Sequence, residues 1–310
     1  VIPPGPHGGD GARLAAALGV DPASVLDLSA SFNPVAPHPG EIVARHLDAL
    51  RRYPDPAAAT AALAGAMGVD PRRLLLTNGG AEAIALVAAE LGGRVDEPDF
   101  GLYPRGGPGP GPRWRSNPHN PSGRLAPDDD RAGVWDEAFY PLATGEWSRG
   151  DHGAVVVGSL TKLLACPGLR LGYVLAPDDA LVDRLRRRQP AWSVNGLAAA
   201  ALPDLLAAAD LAGWASAVAT LRAQLVDVLA GAGLAPEPSD ANFVLVAAPG
   251  LRARLAPHGV LVRDCASFGL PGHVRVAVPD DRGLRRLASA LGAVVGAPHP
   301  SAGQERQGAA

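Results

Sequence analysis

The chain has 310 residues, 47% of them hydrophobic, enough apolar material for a large core and two subdomains. Its net charge of −3 leaves no basic surplus for nucleic acid or an anionic membrane surface, and its two cysteines, Cys166 and Cys265, lack metal-ligand spacing and fit a reducing cytoplasm. Residues 1–10 hold no basic stretch followed by an apolar core and do not read as a signal peptide, and the alanine-rich run 197–217, broken by Pro203, Asp204 and Asp210, does not read as a membrane span.

In chain order, apolar runs bounded by turn residues alternate with helical patterns, the mark of an α/β fold. Residues 73–77 read as a buried strand and 81–91 as a helix with Ile84, Val87 and Leu91 on one face. Between them, Asn78-Gly79-Gly80 aims backbone N–H groups and the positive end of the helix at one point, an anion site. The glycine–proline tract 104–115 (PRGGPGPGPRWR) is expected to support neither helix nor strand. It runs into two tandem Asn-Pro turns, Asn117-Pro118-His119-Asn120-Pro121-Ser122-Gly123, and Asp136 then ends a short apolar stretch. Residues 154–159 and 171–176 read as further buried strands, and 178–188 and 194–209 as helices, with 184–188 a solvated arginine face. The amphipathic pattern of 213–230 turns Leu221, Leu225, Val228 and Leu229 inward. Strands near 242–246, 260–263 and 273–278, with helices near 251–256 and 280–291, complete a small α+β unit, and 296–310 reads as a disordered tail.

All but one of the 28 basic residues are arginine, and the exception is Lys162. A composition that uses arginine wherever charge alone is wanted points to a task that guanidinium does not perform. A desolvated amine loses its proton and forms a Schiff base with a carbonyl cofactor. Ser159 and Arg170, three residues before the lysine and eight after it, add a hydroxyl and a guanidinium to the anion site. A phosphate cup, a polar group for a phenolic oxygen, a carboxylate for a protonated ring nitrogen and an amine are the needs of pyridoxal 5′-phosphate. No glycine-rich dinucleotide fingerprint with its acidic partner supports a plain nucleotide-binding module.

In the order NGGAEA, NPHNPSG, DEAF, SLTK, GLRLGY, these motifs resemble the fold-type I, class I/II aminotransferase-like enzymes that use pyridoxal phosphate, from about His7 to Leu291. The resemblance implies a mostly parallel central sheet with helices on both faces and a smaller C-terminal α+β domain. It divides the chain into an arm (1–40), a large cofactor domain (41–212, shortened around 104–135), a small domain (213–295) and the tail (296–310). It casts Lys162 as the Schiff-base lysine and proton carrier, Asp136 as the partner of the pyridine nitrogen, and Asn120 as the partner of the phenolic oxygen. Gly80, Ala81, Ser159 and Arg170 form the phosphate cup, Phe100 stacks on the ring, and Tyr53 reaches the phosphate of a neighbouring subunit, which implies a homodimer. Arg275 grips the substrate α-carboxylate.

Two members of the family compete: histidinol-phosphate aminotransferase and the L-threonine-O-3-phosphate decarboxylase of cobalamin biosynthesis. His7-Gly8-Gly9-Asp10, the segment Leu28-Ser29-Ala30-Ser31-Phe32-Asn33-Pro34, Pro190-Ala191-Trp192-Ser193-Val194-Asn195 and Val262-Arg263-Asp264-Cys265 resemble the decarboxylase. That member implies a cytoplasmic enzyme forming (R)-1-amino-2-propanol O-2-phosphate, with His7, Gly8, Asn33, Asn120, Arg263 and Arg275 on the substrate. The chain departs from the family twice. Phe139 stands where a tyrosine donates to the phenolic oxygen, and Tyr140, one place on along an extended strand, points the other way. Between Phe100 and the Asn-Pro loop, relatives place a strand, a helix and a further strand where this chain has only the glycine–proline tract, so at least one sheet strand is expected to be missing or improvised, and a degenerate, non-catalytic relative stays open beside the two enzymes.

Overall fold

The computed structural model describes residues 2–5, 7–105, 111–150 and 153–295; the expected tail at 296–310 lies outside them. After α1 (Gly11–Leu18) come β1 (Leu26–Leu28), α2 (Gly40–Ala44) and α3 (Ala57–Met67). Then β2 (Leu74–Asn78) runs directly into α4 (Gly79–Leu91). Three short strands follow, β3 (Arg94–Val95), β4 (Arg113–Ser116) and β5 (Val134–Asp136), then α5 (Tyr140–Thr144). The segments β6 (Val155–Ser159), α6 (Leu160–Leu163) and β7 (Leu171–Leu175) bracket the lysine, and α7 (Asp179–Arg188), α8 (Gly196–Ala207) and α9 (Leu211–Gly231) follow. The chain then forms β8 (Phe243–Ala247), α10 (Leu251–Leu255), β9 (Val260–Asp264), β10 (His273–Ala277) and α11 (Asp281–Val295).

Among the described residues two sheets form. The larger has the order β2-β7-β6-β5-β4-β3, with β3 to β6 mutually parallel and β7 antiparallel to both of its neighbours. Its strands read as unbroken apolar runs because both faces are covered. Leu74, Leu76 and Val156 pack into a core shared with α3 and α8, while Leu75, Val155, Val157 and Val174 pack with α4 and α7 on the other side. The smaller sheet has the order β1-β9-β10-β8, so a strand from the N-terminal arm pairs in parallel with β9 from near the C-terminus.

Most predicted elements lie within two residues of those observed. The tract 104–115 departs from expectation, because Arg113–Ser116 is strand β4. Its pairing with β5 (Trp114 opposite Val134, Ser116 opposite Asp136) supplies hydrogen bonds that local composition does not advertise. Tyr140 also departs: β5 stops at Asp136, and Tyr140 opens α5 instead of extending a strand. Among the described residues no single helix is long and apolar enough to cross a membrane; α8 and α9 meet at an 83° bend.

Candidate active site

A cavity of about 350 Å³ lies between the two sheets, with Lys162 in its wall. At one end, β2 turns into the amino end of α4 through Gly79, whose φ of +75° favours glycine. A side chain at Gly79 would meet the Arg170 guanidinium at 2.5 Å, and one at Gly80 would meet Ser159 Cβ at 3.3 Å. The helix start, the arginine and the β6 hydroxyl are thus drawn tightly together. Gly172 allows this, since a Cβ there would lie 2.4 Å from the Gly79 carbonyl carbon. Thr161 Oγ1 lies 2.7 Å from Ser159 Oγ and also faces the cavity, a second hydroxyl that the sequence reading missed two positions from the first. Peptide N–H groups, hydroxyls and a guanidinium converging at a helix amino end are an oxyanion donor set.

Lys162 rides on the single turn α6. Asn33 pins that turn from behind: its backbone N–H donates to the Lys162 carbonyl at 3.0 Å and its side-chain amide to Leu163 O at 3.0 Å. Asn33 is buried and does not line the cavity, so its expected place on the substrate gives way to support of the lysine turn. The Lys162 amine lies 4.8 Å from the Phe32 ring centroid. Burial, with the positive charges of Arg275 and Arg170, lowers its pKa to about 8, against the opposing pull of Asp27 and Asp136. Near neutrality such an amine is still mostly protonated, but its unprotonated fraction is far larger than that of an ordinary lysine.

Asp136, at the end of β5, accepts from the Ala138 N–H at 3.0 Å and from the Tyr103 hydroxyl at 2.8 Å. Burial raises its carboxyl to about 6 despite these donors. Tyr103 is a second residue the sequence reading missed; its signal was a tyrosine three residues after Phe100 in a chain with four tyrosines. Phe100 lines the cavity, edge-on to Tyr103. The Asn-Pro loop is fixed by Asn117 Oδ1 accepting from Ala126 N at 2.9 Å and by the Asn120 N–H donating to Ser116 Oγ at 2.7 Å.

The opposite end is cationic. Arg263 on β9 and Arg275 on β10 are register partners across the antiparallel ladder, both buried and both in the cavity wall. Arg275 donates to Asn120 Oδ1, its Nε has no partner among the described residues, and its guanidinium carbon lies 4.5 Å from the Phe243 ring centroid. Burial lowers its pKa to about 10, which leaves it a cation at neutral pH. Arg263 donates to Gly5 O at 2.9 Å and Ser267 Oγ at 2.7 Å. The first of these bonds, with Gly9 N–H donating to Ser29 Oγ at 2.9 Å, holds the arm so that His7 and Gly8 reach the cavity. Phe139 lines the wall, packed edge-on against Phe243, and Tyr140 is absent from it. Tyr53 also lies away from this cavity, 80% exposed and stacked 4.7 Å from Trp192.

A family model for aminotransferase class I and II matches residues 114–291. The threonine-phosphate decarboxylase of Salmonella typhimurium is 31% identical over 349 residues, covering 92% of this chain and 95% of that protein. The chain belongs to the class I and II aminotransferase family. A histidinol-phosphate aminotransferase of Dechloromonas aromatica is 28% identical over 90% of this chain and 92% of its own length. The fold matches that of the Sinorhizobium meliloti histidinol-phosphate aminotransferase solved with pyridoxal 5′-phosphate (TM-score 0.76, 18% identity, 95% of each chain covered).

The cofactor of this family member is pyridoxal 5′-phosphate. The residues present fit it. The Gly79–Gly80 cradle, into which a side chain would intrude, suits a phosphate; the depressed amine of Lys162 suits a carbonyl carbon; and the buried Asp136 carboxyl suits a protonated ring nitrogen.

Proposed function

We propose that this enzyme decarboxylates L-threonine O-3-phosphate to (R)-1-amino-2-propanol O-2-phosphate, a reaction that would serve cobalamin biosynthesis in the cytoplasm. The observation that carries the reading is the cross-strand pair Arg263–Arg275 beside His7. Like charges set directly opposite each other on a sheet destabilise it, and burying both adds desolvation, so the arrangement makes sense with anions bound between them. A substrate that carries a phosphate and a carboxylate at once uses both arginines. Histidinol phosphate offers only the phosphate, and in amino transfer the carboxylates would come from the separate co-substrate 2-oxoglutarate. The 31% identity to a threonine-phosphate decarboxylase supports the same choice.

Pyridoxal phosphate supplies, when bound, a conjugated ring that accepts the electron pair of the bond broken at the substrate Cα. In this reading Gly80, Ala81, Ser159 and Arg170 hold its phosphate, with Thr161 assisting. Phe100 covers the ring, Asn120 faces the phenolic oxygen, and Asp136 keeps the ring nitrogen protonated. Lys162 would hold the cofactor through its carbonyl carbon. Arg263 and His7 would take the substrate phosphate and Arg275 the carboxylate, and these two anchors would fix the torsion about the substrate Cα and so select the bond that breaks. Carbon dioxide leaves, and the Lys162 ammonium delivers the proton that replaces it at Cα. Phe139 provides no hydroxyl for the phenolic oxygen, which leaves Asn120 to serve it. The sheets support reading 1–40 as an arm, 41–212 as the cofactor domain and 213–295 as the small domain. The exposed Tyr53–Trp192 pair supports a homodimer in which Tyr53 serves the neighbouring site.

The test is a substrate panel. Threonine phosphate should release carbon dioxide stoichiometrically with aminopropanol phosphate and without any oxo acid. Amino transfer from histidinol phosphate to 2-oxoglutarate, with no carbon dioxide from threonine phosphate, would make the enzyme an aminotransferase. Inertness toward both would favour the degenerate reading.

A further inference from the structure

Between β3 and β4, the described residues 96–105 carry Phe100 and Tyr103 and form neither helix nor strand. One side chain holds this turn together. The Arg105 guanidinium donates to the carbonyls of Asp99 (3.0 Å), Phe100 (3.2 Å) and Tyr103 (3.0 Å) and to both carboxylate oxygens of Glu97. This clasp presents the Tyr103 ring to Trp114 (centroids 5.4 Å apart) and its hydroxyl to Asp136 Oδ2 at 2.8 Å. With Ala138 N–H on Oδ1, each carboxylate oxygen keeps one lone pair for the cavity. Burial first, then the neighbouring acids Asp136 and Asp99, push the pKa of the Tyr103 phenol well up, so near neutral pH it is a donor and not a competing anion.

We propose that Tyr103 is the positioning residue for Asp136: its hydroxyl aims the carboxylate at the cavity, and Arg105 locks Tyr103 and Phe100 into one unit. The consequence for the cofactor rests on the reading that Asp136 faces the ring nitrogen. The chemistry is direct. Burial favours the neutral acid, and a neutral acid does not hold a proton on a pyridine nitrogen. Asp99 on the same turn raises the Asp136 carboxyl further, while Lys162 on α6 opposes this; Glu137 beside it and Tyr173 on β7 are the other titratable groups coupled to it. The Tyr103 donor is the largest of the contributions that favour the ionised form.

The experiment follows the carboxyl signal of Asp136 in apo-protein carrying 13C-labelled aspartate, assigned by its loss in Asp136→Asn, while pH is varied. Tyr103→Phe, which removes only the hydroxyl, should move the Asp136 titration upward by about one pH unit. Arg105→Ala, a change at a partly exposed side chain, should move it in the same direction by less. An Asp136 titration left in place by both variants overturns the proposal, whatever happens to activity. In the holoenzyme the visible band of Tyr103→Phe should change with pH in step with the carboxyl. A shifted carboxyl beside an unchanged band would uphold the positioning role and remove Asp136 from the ring nitrogen.

Discussion

The two sides of the cavity are built by different means. The cup side, β2–α4 with β6–α6–β7, rests on five-residue strands with continuous backbone ladders, on helix termini, and on apolar cores covering both sheet faces. The ring side, from Arg94 to Asp136, has strands of two, four and three residues among the described residues, and side chains do much of the holding. Asp99 accepts from the Ser116 N–H and hydroxyl, Arg113 bridges Asp96 and Asp130, and Arg105 clasps the turn. Where the strands are short, side-chain networks do this work, buried at Asp99–Ser116 and partly exposed at Arg105 and Arg113. Such networks are specific, but each member left alone carries its full desolvation penalty.

The largest effect lies where both sides meet. Lys162→Ala should lower turnover by about 10³-fold or more, since it removes both the tether and the proton carrier. Borohydride should then no longer fix the cofactor to the protein. In the unmutated apo-protein, cofactor capture should accelerate as pH rises and level off above about 8, because only the unprotonated amine reacts and its pKa is depressed to that value. Capture that is independent of pH between 6 and 9, as set by that pKa, would contradict the burial assigned to this amine.

A matched pair of substitutions sharpens the contrast between the sides. Leu76→Ala, in the buried core under the cup, should destabilise the fold by about 3 kcal/mol through a cavity between β2 and the helices, with cofactor affinity nearly unchanged. Ser116→Ala should destabilise by less, about 2 kcal/mol, because it strands the Asn120 N–H and removes one of the two donors to Asp99 Oδ1, which keeps the Phe100 N–H. Its effect on the site should be the greater of the two, because Asn120 is released from its anchor. Denaturant melts and cofactor titrations on both variants check this. If the two variants lose stability and cofactor affinity in the same proportion, the two sides are not built differently.

That contrast also explains what the sequence made legible. Gly80, Ala81, Ser159, Lys162 and Arg170 belong to contiguous strand–turn–helix segments, so local pattern and family motif both reveal them. Tyr103 could not be read as a partner of Asp136, since 33 positions separate them and they meet only through the fold of the Arg105-clasped turn over β5. The strand β4 was hidden for a related reason. Its four residues follow glycine and proline, and its hydrogen bonds come from a neighbour that composition does not reveal. Arg263 and Arg275 were each identified singly, but their juxtaposition is a matter of strand register. Asn33 lay in a motif that pointed to the substrate, while its side chain is taken up by the Leu163 carbonyl.

The smallest effect belongs to the outer edge of the cup side. Glu90 on α4 receives Arg184 at 2.8 Å and Arg188 at 2.6 Å from α7, and both arginines are about half exposed (44% and 49%). The hydrogen bond from Arg188 and its companion pair hold the Glu90 carboxyl below its usual range. A depressed acid contributes stability above its unfolded pKa and loses it as pH falls through the folded value, so any contribution is confined to pH above the acid range. Exposure and screening keep it small: Glu90→Gln should shift stability by less than about 1 kcal/mol at neutral pH, and by less again in high salt. The same helices bury Val87, Leu181, Val182 and Leu185 between them and the sheet. A salt-dependent loss well above that bound, seen in denaturant melts, would mean that ion pairs hold α7 to α4. The cup side would then depend on side-chain charge in the way the ring side does.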